Sequence, residues 1–231
     1  MNDSDNLVKF WSDALKLTDE QKQEILEYDK SLWKDLAPSE KLCIAAESLS
    51  SCTKVLDYGC GTAWAGIIAS KSGCKDVVAV DVAEGALDTA IVYADHFDAS
   101  ENMHIMHVDF NWLKEEASDK YDGFICSNVL DVVPMDVAEA IISESARITT
   151  PDAKVIISLN YYLDPSVAKQ RGMELVDGKK LYVNGILRLV SLADEEWAKM
   201  FSPYYEVEKL VYFAWPGEAK ETRRLFYLKK K

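Results

Sequence analysis

The sequence predicts an α/β fold, a doubly wound and mostly parallel sheet of seven strands with an antiparallel last strand. From residue 54 onward, short apolar runs of strand character alternate with longer segments of helical character. Such alternation is typical of parallel strands joined by crossover helices that cover both faces of a sheet. The chain then ends in two strand-like runs separated by Pro216 and Gly217, a hairpin-like connection that predicts an antiparallel final strand.

The segment before the sheet is helical in character. Three helices are expected there, at residues 6–17, 19–36 and 38–49. Thr18 and Ser39 stand where side chains cap helix starts. We interpret residues 1–50 as an N-terminal helical lid, whose aromatic side chains either pack against the domain or face a ligand.

The sheet region is divided by its hydrophobic pattern. Five parallel strands are expected at residues 55–58, 77–80, 103–108, 123–126 and 155–159. Three crossover helices are expected at residues 64–71, 84–97 and 135–148. Beyond them, Gly178 lies in a turn between two short strand-like pieces, and residues 192–201 are expected to be helical. The closing strands are expected at residues 205–215 and 223–228.

Composition and charge limit the function. Hydrophobic residues make up 48% of the 231-residue chain and charged residues 28%, values that indicate one folded domain. In that domain, residues 51–160 would form a cofactor-binding core, and residues 161–231 a substrate-side segment with the terminal strands. A formal net charge of −13 disfavours nucleic acid as a partner, because phosphate backbones are bound by extended basic surfaces. The oligomeric state is left open.

Two further classes of protein are not expected. No apolar run approaches the roughly 20 residues that span a bilayer, and the acidic, polar start of the chain lacks the features of a signal peptide. The chain is therefore expected to be cytoplasmic, without a membrane partner. His104 and His107 are three residues apart on an expected strand, which points them to opposite faces, so no metal site is expected.

The first expected strand ends in a glycine turn. Asp57 and Tyr58 are followed by Gly59 and Gly61, with a helix expected after them. Glycines at a strand-to-helix turn let the backbone approach a ligand closely. The next strand ends in Asp81, a carboxylate that can accept hydrogen bonds from a ribose diol. A dinucleotide and an adenosine with an amino-acid tail both suit this arrangement.

Three features favour the adenosine with an amino-acid tail, S-adenosylmethionine. Asp57 would repel a pyrophosphate and attract an ammonium group. Trp64 occupies the position of the third glycine in the dinucleotide motif. At the end of the third strand, Asp109 can accept from an adenine amino group, and the Phe110 ring can lie against the base. Asp81 and Asp109 could instead cap the turns that follow their strands.

These residues resemble the class I, Rossmann-like S-adenosylmethionine-dependent methyltransferases, in particular the type 11 or type 25 methyltransferase-domain group. The resemblance covers roughly residues 55–159 and extends to the terminal strand pair. It implies that the methionine end is held by Asp57, Gly59 and Gly61, the ribose by Asp81 with Val82, and the adenine by Asp109 with Phe110. It also implies that Ser127 and Asn128 face the sulfonium. S-Adenosylhomocysteine would be the product.

The chain departs from this family pattern at two positions. Ala63 stands where many members have another glycine, which alters the turn slightly, and Asp131 stands where a histidine is frequent. A histidine base is therefore not expected. If the acceptor must lose a proton, the candidate bases are Asp131, Tyr161 and Tyr162.

The acceptor pocket is expected between the N-terminal helices and the segment after the fifth strand, because ligand crevices form at the carboxyl ends of parallel strands. The candidate substrate-binding residues are Trp11, Tyr28, Tyr161 and Arg188. The leading hypothesis is methyl transfer to a small molecule by in-line displacement, in which the protein mainly aligns the reactants and excludes water. A protein methyltransferase, a non-catalytic adenosylmethionine-binding module and, more distantly, a dehydrogenase are the alternatives.

Overall fold

The computed structural model describes residues 3–231, and it describes side chains from residue 6 onward. The strands share the alternation with helices that the sequence predicts. In chain order they are β1 (Val55–Tyr58), β2 (Val77–Asp81), β3 (Met103–His107), β4 (Tyr121–Ser127), β5 (Thr149–Leu159), β6 (Leu175–Val176), β7 (Lys180–Val183), β8 (Ile186–Val190), β9 (Tyr205–Phe213) and β10 (Arg223–Lys230). Within residues 3–231, no helix is long and apolar enough to cross a membrane.

Seven of these strands form one sheet, in the order β3, β2, β1, β4, β5, β10, β9. The pairs from β3 to β5 are parallel, and β10 is antiparallel to both of its neighbours. The strand order reverses between β1 and β4, which leaves a crevice at the carboxyl ends of these strands. This sheet confirms the predicted fold class.

Nine α-helices accompany the strands in the described residues. They are α1 (Asp3–Leu15), α2 (Asp19–Glu27), α3 (Glu40–Glu47), α4 (Trp64–Ser72), α5 (Glu84–His96), α6 (Trp112–Glu115), α7 (Met135–Ile148), α8 (Pro165–Gln170) and α9 (Asp194–Phe201). The two predicted caps are present: Thr18 and Gln21 form a reciprocal capping box at α2, and the Ser39 hydroxyl accepts from the Leu42 N–H at α3.

The sheet is covered on both faces, as a doubly wound fold requires. One face packs against α7 and α9 through residues such as Phe124, Ile141 and Trp197. The other packs against α3, α4 and α5 through residues such as Leu42, Ile67 and Leu87. Because β1 and β4 contribute to both cores, their side chains are buried nearly throughout, which explains why the sequence there is apolar without alternation.

Several element boundaries differ from those the sequence predicts. The expected helix at residues 19–36 ends as α2 at Glu27, and a 3₁₀ segment, Lys30–Leu36, follows it. The Asp29 carboxylate accepts from the Ser31 N–H and starts this second segment. The sequence analysis also missed α6, α8 and β8, which are short elements whose few residues carry little periodic signal.

The N-terminal residues divide between the two faces of the fold. Helix α1 packs beside α5 and β8 at the carboxyl edge of the sheet, whereas α3 and the 3₁₀ segment pack against α4. Of residues 1–50, α1 is therefore the element that lies at the carboxyl edge of the sheet, and the lid interpretation stays a prediction. The small antiparallel sheet formed by β6, β7 and β8 flanks α1 on its other side.

The contact between α1 and α5, called the seam below, requires the backbones of the two helices to lie close together. The Gly85 N–H donates to the Ser12 hydroxyl (2.9 Å), and the Thr89 hydroxyl donates to the Leu15 carbonyl (2.5 Å). A Cβ added at Gly85 would lie 2.0 Å from the Ser12 carbonyl oxygen. Only glycine therefore permits this separation between the two helices.

The seam gives a first prediction, for the variant Gly85→Ala. Alanine favours a helix interior over glycine by about 1 kcal/mol, but its methyl group would overlap the Ser12 carbonyl, so we expect α1 to leave its place on α5. The expected result is faster proteolytic cleavage in residues 16–18, with a lower Tm. Limited proteolysis and thermal unfolding measure both quantities.

The matched control is Asp88→Ala, which changes an exposed residue of the same helix and should leave the cleavage rate unchanged. A Gly85→Ala variant with a higher Tm and an unaltered cleavage pattern would show that α1 is not held by this seam.

Candidate cofactor and acceptor site

A cavity of about 210 Å³ lies where the strand order reverses, at the carboxyl ends of β1, β2 and β4 and beneath α1. Its walls are mainly apolar. The lining residues are Leu7, Val8, Trp11, Leu15, Tyr58, Gly59, Gly61, Val80, Asp81, Val82, Val108, Phe110, Ser127, Asn128, Val129, Val132, Val133, Ile141 and Trp215.

The glycine turn after β1 forms one wall. Gly59 has a φ of +67°, and a Cβ there would lie 2.3 Å from Val129 Cγ2. Gly61 also has a positive φ, +54°, but a Cβ there would meet no atom within 4 Å, so its backbone faces open space. The Gly59 and Cys60 N–H groups both donate to the Val80 carbonyl, which ties the turn to β2. This is a cradle of bare backbone at the edge of the cavity.

Asp81 lies beside this turn and lines the cavity. Its Oδ2 accepts from the Gly61 N–H (2.9 Å), and its Oδ1 accepts from the Ala83 N–H (2.8 Å). Burial raises the pKa of Asp81, and the backbone hydrogen bonds from Ala83 and Gly61 oppose that shift. A carboxylate oxygen has more than one lone-pair site, so both oxygens can still accept from a diol in the cavity.

Asp57 is buried beneath the turn and is not among the cavity-lining residues. Its Oδ2 accepts from the Gly66 N–H (2.9 Å) in the first turn of α4. Burial raises the pKa of Asp57 to about 7, the Gly66 hydrogen bond lowers it, and the charge of Asp81 raises it. In this structure Asp57 fastens α4 to the end of β1 rather than facing the cavity.

Only some of the residues expected around an adenine line the cavity. Val82 and Phe110 line the cavity, on the same side as Val108. Asp109 is exposed and outside the cavity, and its Oδ1 accepts from the Asn111 N–H (2.7 Å). The structure thus gives Asp109 the turn-capping role that the sequence had left as its alternative.

Ser127 and Asn128 line the cavity at the end of β4. The Ser127 and Ser158 hydroxyls are hydrogen-bonded (2.7 Å), and each hydroxyl oxygen lies 3.3 Å from Asn128 Oδ1. The hydroxyl that accepts in the serine pair is the one that can donate to Asn128. Asn128 has a φ of +57°, and its buried Nδ2 has no hydrogen-bond partner in the described part of the chain. Because buried donors are normally paired, this amide is free to donate to a bound molecule.

The three candidate bases lie away from the cavity lining. Asp131 is fully buried, and its carboxylate accepts from the Asn160 backbone N–H (2.6 Å) and side-chain amide (3.3 Å). Burial raises the pKa of Asp131 to about 6, although Asn160 and Arg224 oppose the shift. Tyr161 packs in a separate small cluster, and Tyr162 is exposed beside another depression. None of the three supplies a base to the cavity in this arrangement.

Of the expected substrate-binding residues, only Trp11 lines the cavity. Its buried indole N–H has no partner among the described residues. Arg188 lies behind it, with its guanidinium carbon 4.2 Å from the centre of the Phe10 ring and 5.4 Å from that of Trp11. Tyr28 is exposed, packs edge-on against Phe97 and lines a different groove, because α2 lies away from the cavity.

The sequence analysis missed Trp215 and the valines at positions 129, 132 and 133. Strand β9 runs in the same direction as β5, because both are antiparallel to β10. The loop after β9, which carries Trp215, therefore reaches the same edge of the sheet as the glycine turn. The predicted terminal hairpin contained this signal, since an antiparallel last strand places the preceding loop at that edge.

The fold and this site define a class of protein, the class I, Rossmann-like methyltransferase domains. Residues 55–152, less than half of the chain, match a family model described as a methyltransferase domain. The match confirms the resemblance seen in the glycine turn and the strand-end aspartates.

Two curated relatives are ribosomal protein L11 methyltransferases. The protein from Ruminiclostridium cellulolyticum is 30% identical over 148 residues, which are 64% of this chain and 42% of the relative. The protein from Cupriavidus taiwanensis is 31% identical over 113 residues, 48% of this chain and 35% of the relative. The chain therefore spans less than half the length of these relatives.

Two solved structures share the fold. One is the magnesium protoporphyrin IX methyltransferase of Synechocystis with bound S-adenosylhomocysteine. Its TM-score is 0.61 at 21% sequence identity, and the match covers 91% of this chain and 84% of that chain. The other is the 1,6-didemethyltoxoflavin-N1-methyltransferase of Burkholderia thailandensis, at a TM-score of 0.65 and 16% identity, covering 87% and 80%. At these identities the likeness establishes the fold alone.

The buried carboxyl of Asp57 gives a second prediction, for Asp57→Asn. Its pKa is about 7 in the folded chain, whereas an exposed aspartate has a pKa of about 4. Between pH 4 and pH 7, roughly, this carboxyl is protonated in the folded state and ionised in the unfolded state. The free energy of unfolding therefore falls as the pH rises through this range, by up to roughly 4 kcal/mol. Asparagine should remove this loss, because it is neutral and can still accept from Gly66.

Urea denaturation at about pH 5 and about pH 8 measures the effect as the difference in unfolding free energy between variant and wild type. That difference should shift in favour of Asp57→Asn at the higher pH. Asp109→Asn, which neutralises an exposed carboxylate, is the control and should show a much smaller shift. An equal difference at both pH values would mean that Asp57 does not titrate as proposed.

Proposed function

We propose that this chain is an S-adenosylmethionine-dependent methyltransferase that acts on a small-molecule acceptor. The proposal rests on one cavity. The Gly59 to Gly61 backbone and the Asp81 carboxylate form its polar part, and the remaining lining is apolar and is covered by α1. The methyltransferase-domain match over residues 55–152 supports the same reaction class.

The lining residues fit this cofactor in three respects. The open space at Gly61 leaves room for a ligand against the turn, and Asp81 offers acceptors beside it for a ribose diol. Val82 and Phe110 provide apolar surfaces for a purine. Asn128 adds an unpartnered donor at the end of β4. In this proposal Asp57 acts from beneath the turn, where the methionine ammonium would favour the ionised form of its carboxyl and so oppose the effect of burial on its pKa.

When bound, S-adenosylmethionine would supply a methyl group already activated on a sulfonium. The residues of the chain would then act by alignment and by exclusion of water. Leu7, Trp11 and Leu15 of α1 cover the cavity from above, and the Val129 and Val132 side chains provide apolar walls. Since Asp131, Tyr161 and Tyr162 lie outside the lining, we propose that the acceptor reacts without transferring a proton to one of them.

A protein acceptor is the second candidate, because two curated relatives are named as ribosomal protein L11 methyltransferases. The acidic chain, with a net charge of −13, would suit a basic polypeptide. The position of α1 favours the small molecule, since a polypeptide would need an open groove where the helix covers the cavity. A non-catalytic adenosylmethionine-binding module would share the cofactor residues but turn over no acceptor.

The cofactor assignment predicts the result of a calorimetric titration with S-adenosylmethionine, S-adenosylhomocysteine and NADH. We expect the first two to bind and NADH not to bind. Asp81→Ala should weaken binding of both adenosyl ligands by at least about a hundredfold, because two charge-assisted hydrogen bonds to the ribose are lost, each contributing about 1.5–3 kcal/mol.

Asp109→Ala is the matched control, since it removes the carboxylate at the end of the neighbouring strand, outside the cavity. It should leave the affinity within about twofold of the wild type, because the contribution lost is well under 1.4 kcal/mol. Preference for NADH, or equal loss in both variants, would contradict the assignment of Asp81.

The acceptor class predicts the outcome of transfer assays with methyl-labelled cofactor. Label should appear in a fraction of small metabolites and not in a protein fraction of the same extract. Gly85→Ala, which disturbs α1, should lower small-molecule turnover because the cover that excludes water is displaced. Label recovered only in protein would establish the second candidate, and bound cofactor with no label in either fraction would indicate the binding module.

A further inference from the structure

We propose that the methyl acceptor is an uncharged, planar aromatic molecule that stacks on Trp215, and that Arg223 is the positioning residue for this ring. The inference rests on the proposed function and names the substrate class of the same cavity. It follows from how the Trp215 ring is held, from the charge of the cavity lining and from one unpartnered donor in that lining, the Trp11 indole N–H.

The backbone of Trp215 is held by a closed turn. Its N–H donates to Glu218 Oε2 (2.9 Å), and the Glu218 N–H donates to the Trp215 carbonyl (3.0 Å). The same Glu218 carboxylate pairs with Arg223 at the start of β10 (2.6 Å). The loop is therefore tied to the edge of the sheet at the residue that carries the ring.

The indole ring is held by the guanidinium of Arg223. The Arg223 guanidinium carbon lies 3.5 Å from the centre of the Trp215 ring. Arg223 is buried, and it donates a further hydrogen bond to Asn160 Oδ1, while Asn160 donates to the buried carboxylate of Asp131. Arg223 is not among the cavity-lining residues, whereas Trp215 is. The guanidinium thus supports the ring from outside the cavity, and the remaining surface of the indole is left to a ligand.

The charge around this ring disfavours a charged acceptor. Among the described residues that line the cavity, Asp81 and Tyr58 are titratable and none is basic. An anionic acceptor would therefore find no cation in the lining. An ammonium acceptor would find only Asp81, and in the proposed function the cofactor ribose takes the acceptor sites that the Gly61 and Ala83 hydrogen bonds leave on this carboxylate. Stacking of a cation on Trp215 is opposed by the guanidinium that already lies on the ring.

The apolar walls favour a flat ring that carries one polar atom. Val129, Val132 and Val133 lie in the same lining as Trp11 and Trp215. The buried Trp11 indole N–H has no partner among the described residues and requires an acceptor atom from a bound molecule. An aromatic ring with a hydroxyl, a carbonyl or a ring nitrogen supplies both the stacking face and that atom.

The test uses three probes that differ in planarity or charge, titrated into the full chain saturated with S-adenosylhomocysteine. 2-Naphthol is planar and neutral, decahydro-2-naphthol has the same skeleton without the aromatic face, and hexylamine is a cation. We expect 2-naphthol to bind at least about fivefold more tightly than either of the others, the gain that aromatic stacking provides.

The variants separate stacking from a general loss of structure. Trp215→Leu should abolish the preference for 2-naphthol over decahydro-2-naphthol, and Trp215→Phe should retain most of it. Arg223→Gln and Glu218→Gln, which loosen the support, should reduce this preference while S-adenosylhomocysteine still binds as in the wild type. Tyr204→Leu, at the opposite end of β9, is the matched control and should change neither affinity.

Each result bears on one of the two proposals. If the wild type binds S-adenosylhomocysteine but shows no preference for 2-naphthol, or if Trp215→Leu keeps that preference, the acceptor inference is overturned and the methyltransferase proposal stands. A Trp215→Leu variant that loses S-adenosylhomocysteine binding would also overturn it, because the ring would then contact the cofactor. If the wild type binds no S-adenosylhomocysteine, both proposals fail together.

Discussion

The site depends on the attachment of the glycine turn to the end of β2. The Val80 carbonyl accepts from the N–H groups of Gly59 and Cys60, and the Asp81 carboxylate accepts from that of Gly61. These bonds hold three consecutive backbone donors in a turn whose positive φ angles only glycine adopts without strain. Helix α4 begins directly after this turn. The buried Asp57 carboxylate holds the start of the helix by accepting a hydrogen bond from the Gly66 N–H. A ligand at this edge therefore meets a preformed backbone surface beside one carboxylate.

The apolar half of the cavity is built by elements that are remote in sequence. Helix α1 reaches the cavity because Gly85 allows it to lie against α5, and Arg188 on β8 packs over Phe10 and Trp11 from the other side. Trp215 arrives from the loop after β9, supported by Arg223. The glycine turn and the Asp81 carboxylate are thus combined in one cavity with apolar walls from distant segments, and under the proposed function those walls would select the acceptor.

Local patterns in the sequence predicted the central parallel strands closely because β1, β2 and β4 are buried nearly throughout and read as apolar runs. They also identified Gly59, Gly61 and Asp81, since strand ends in parallel sheets meet at one edge. The same reasoning did not separate Asp81 from Asp109. Both follow a strand and accept from the N–H two residues later, Asp81 from Ala83 and Asp109 from Asn111. Asp81 also accepts from Gly61 and lines the cavity, whereas Asp109 is exposed. The Asp131 carboxylate was likewise indistinguishable from a base until its burial against Asn160 was seen.

The sequence by itself determined the fold class and the residues of the glycine turn, because these follow from short-range hydrophobic periodicity and from the backbone freedom of glycine. The place where the strand order reverses came from the structure. Only the tertiary structure decided which aromatic residues form the cavity. Trp11 and Tyr28 are both aromatic residues of the N-terminal helices, yet Trp11 lines the cavity and Tyr28 lies in another groove. That outcome depends on how α1 and α2 pack against α5, which is set by contacts between segments distant in sequence and has no local signature.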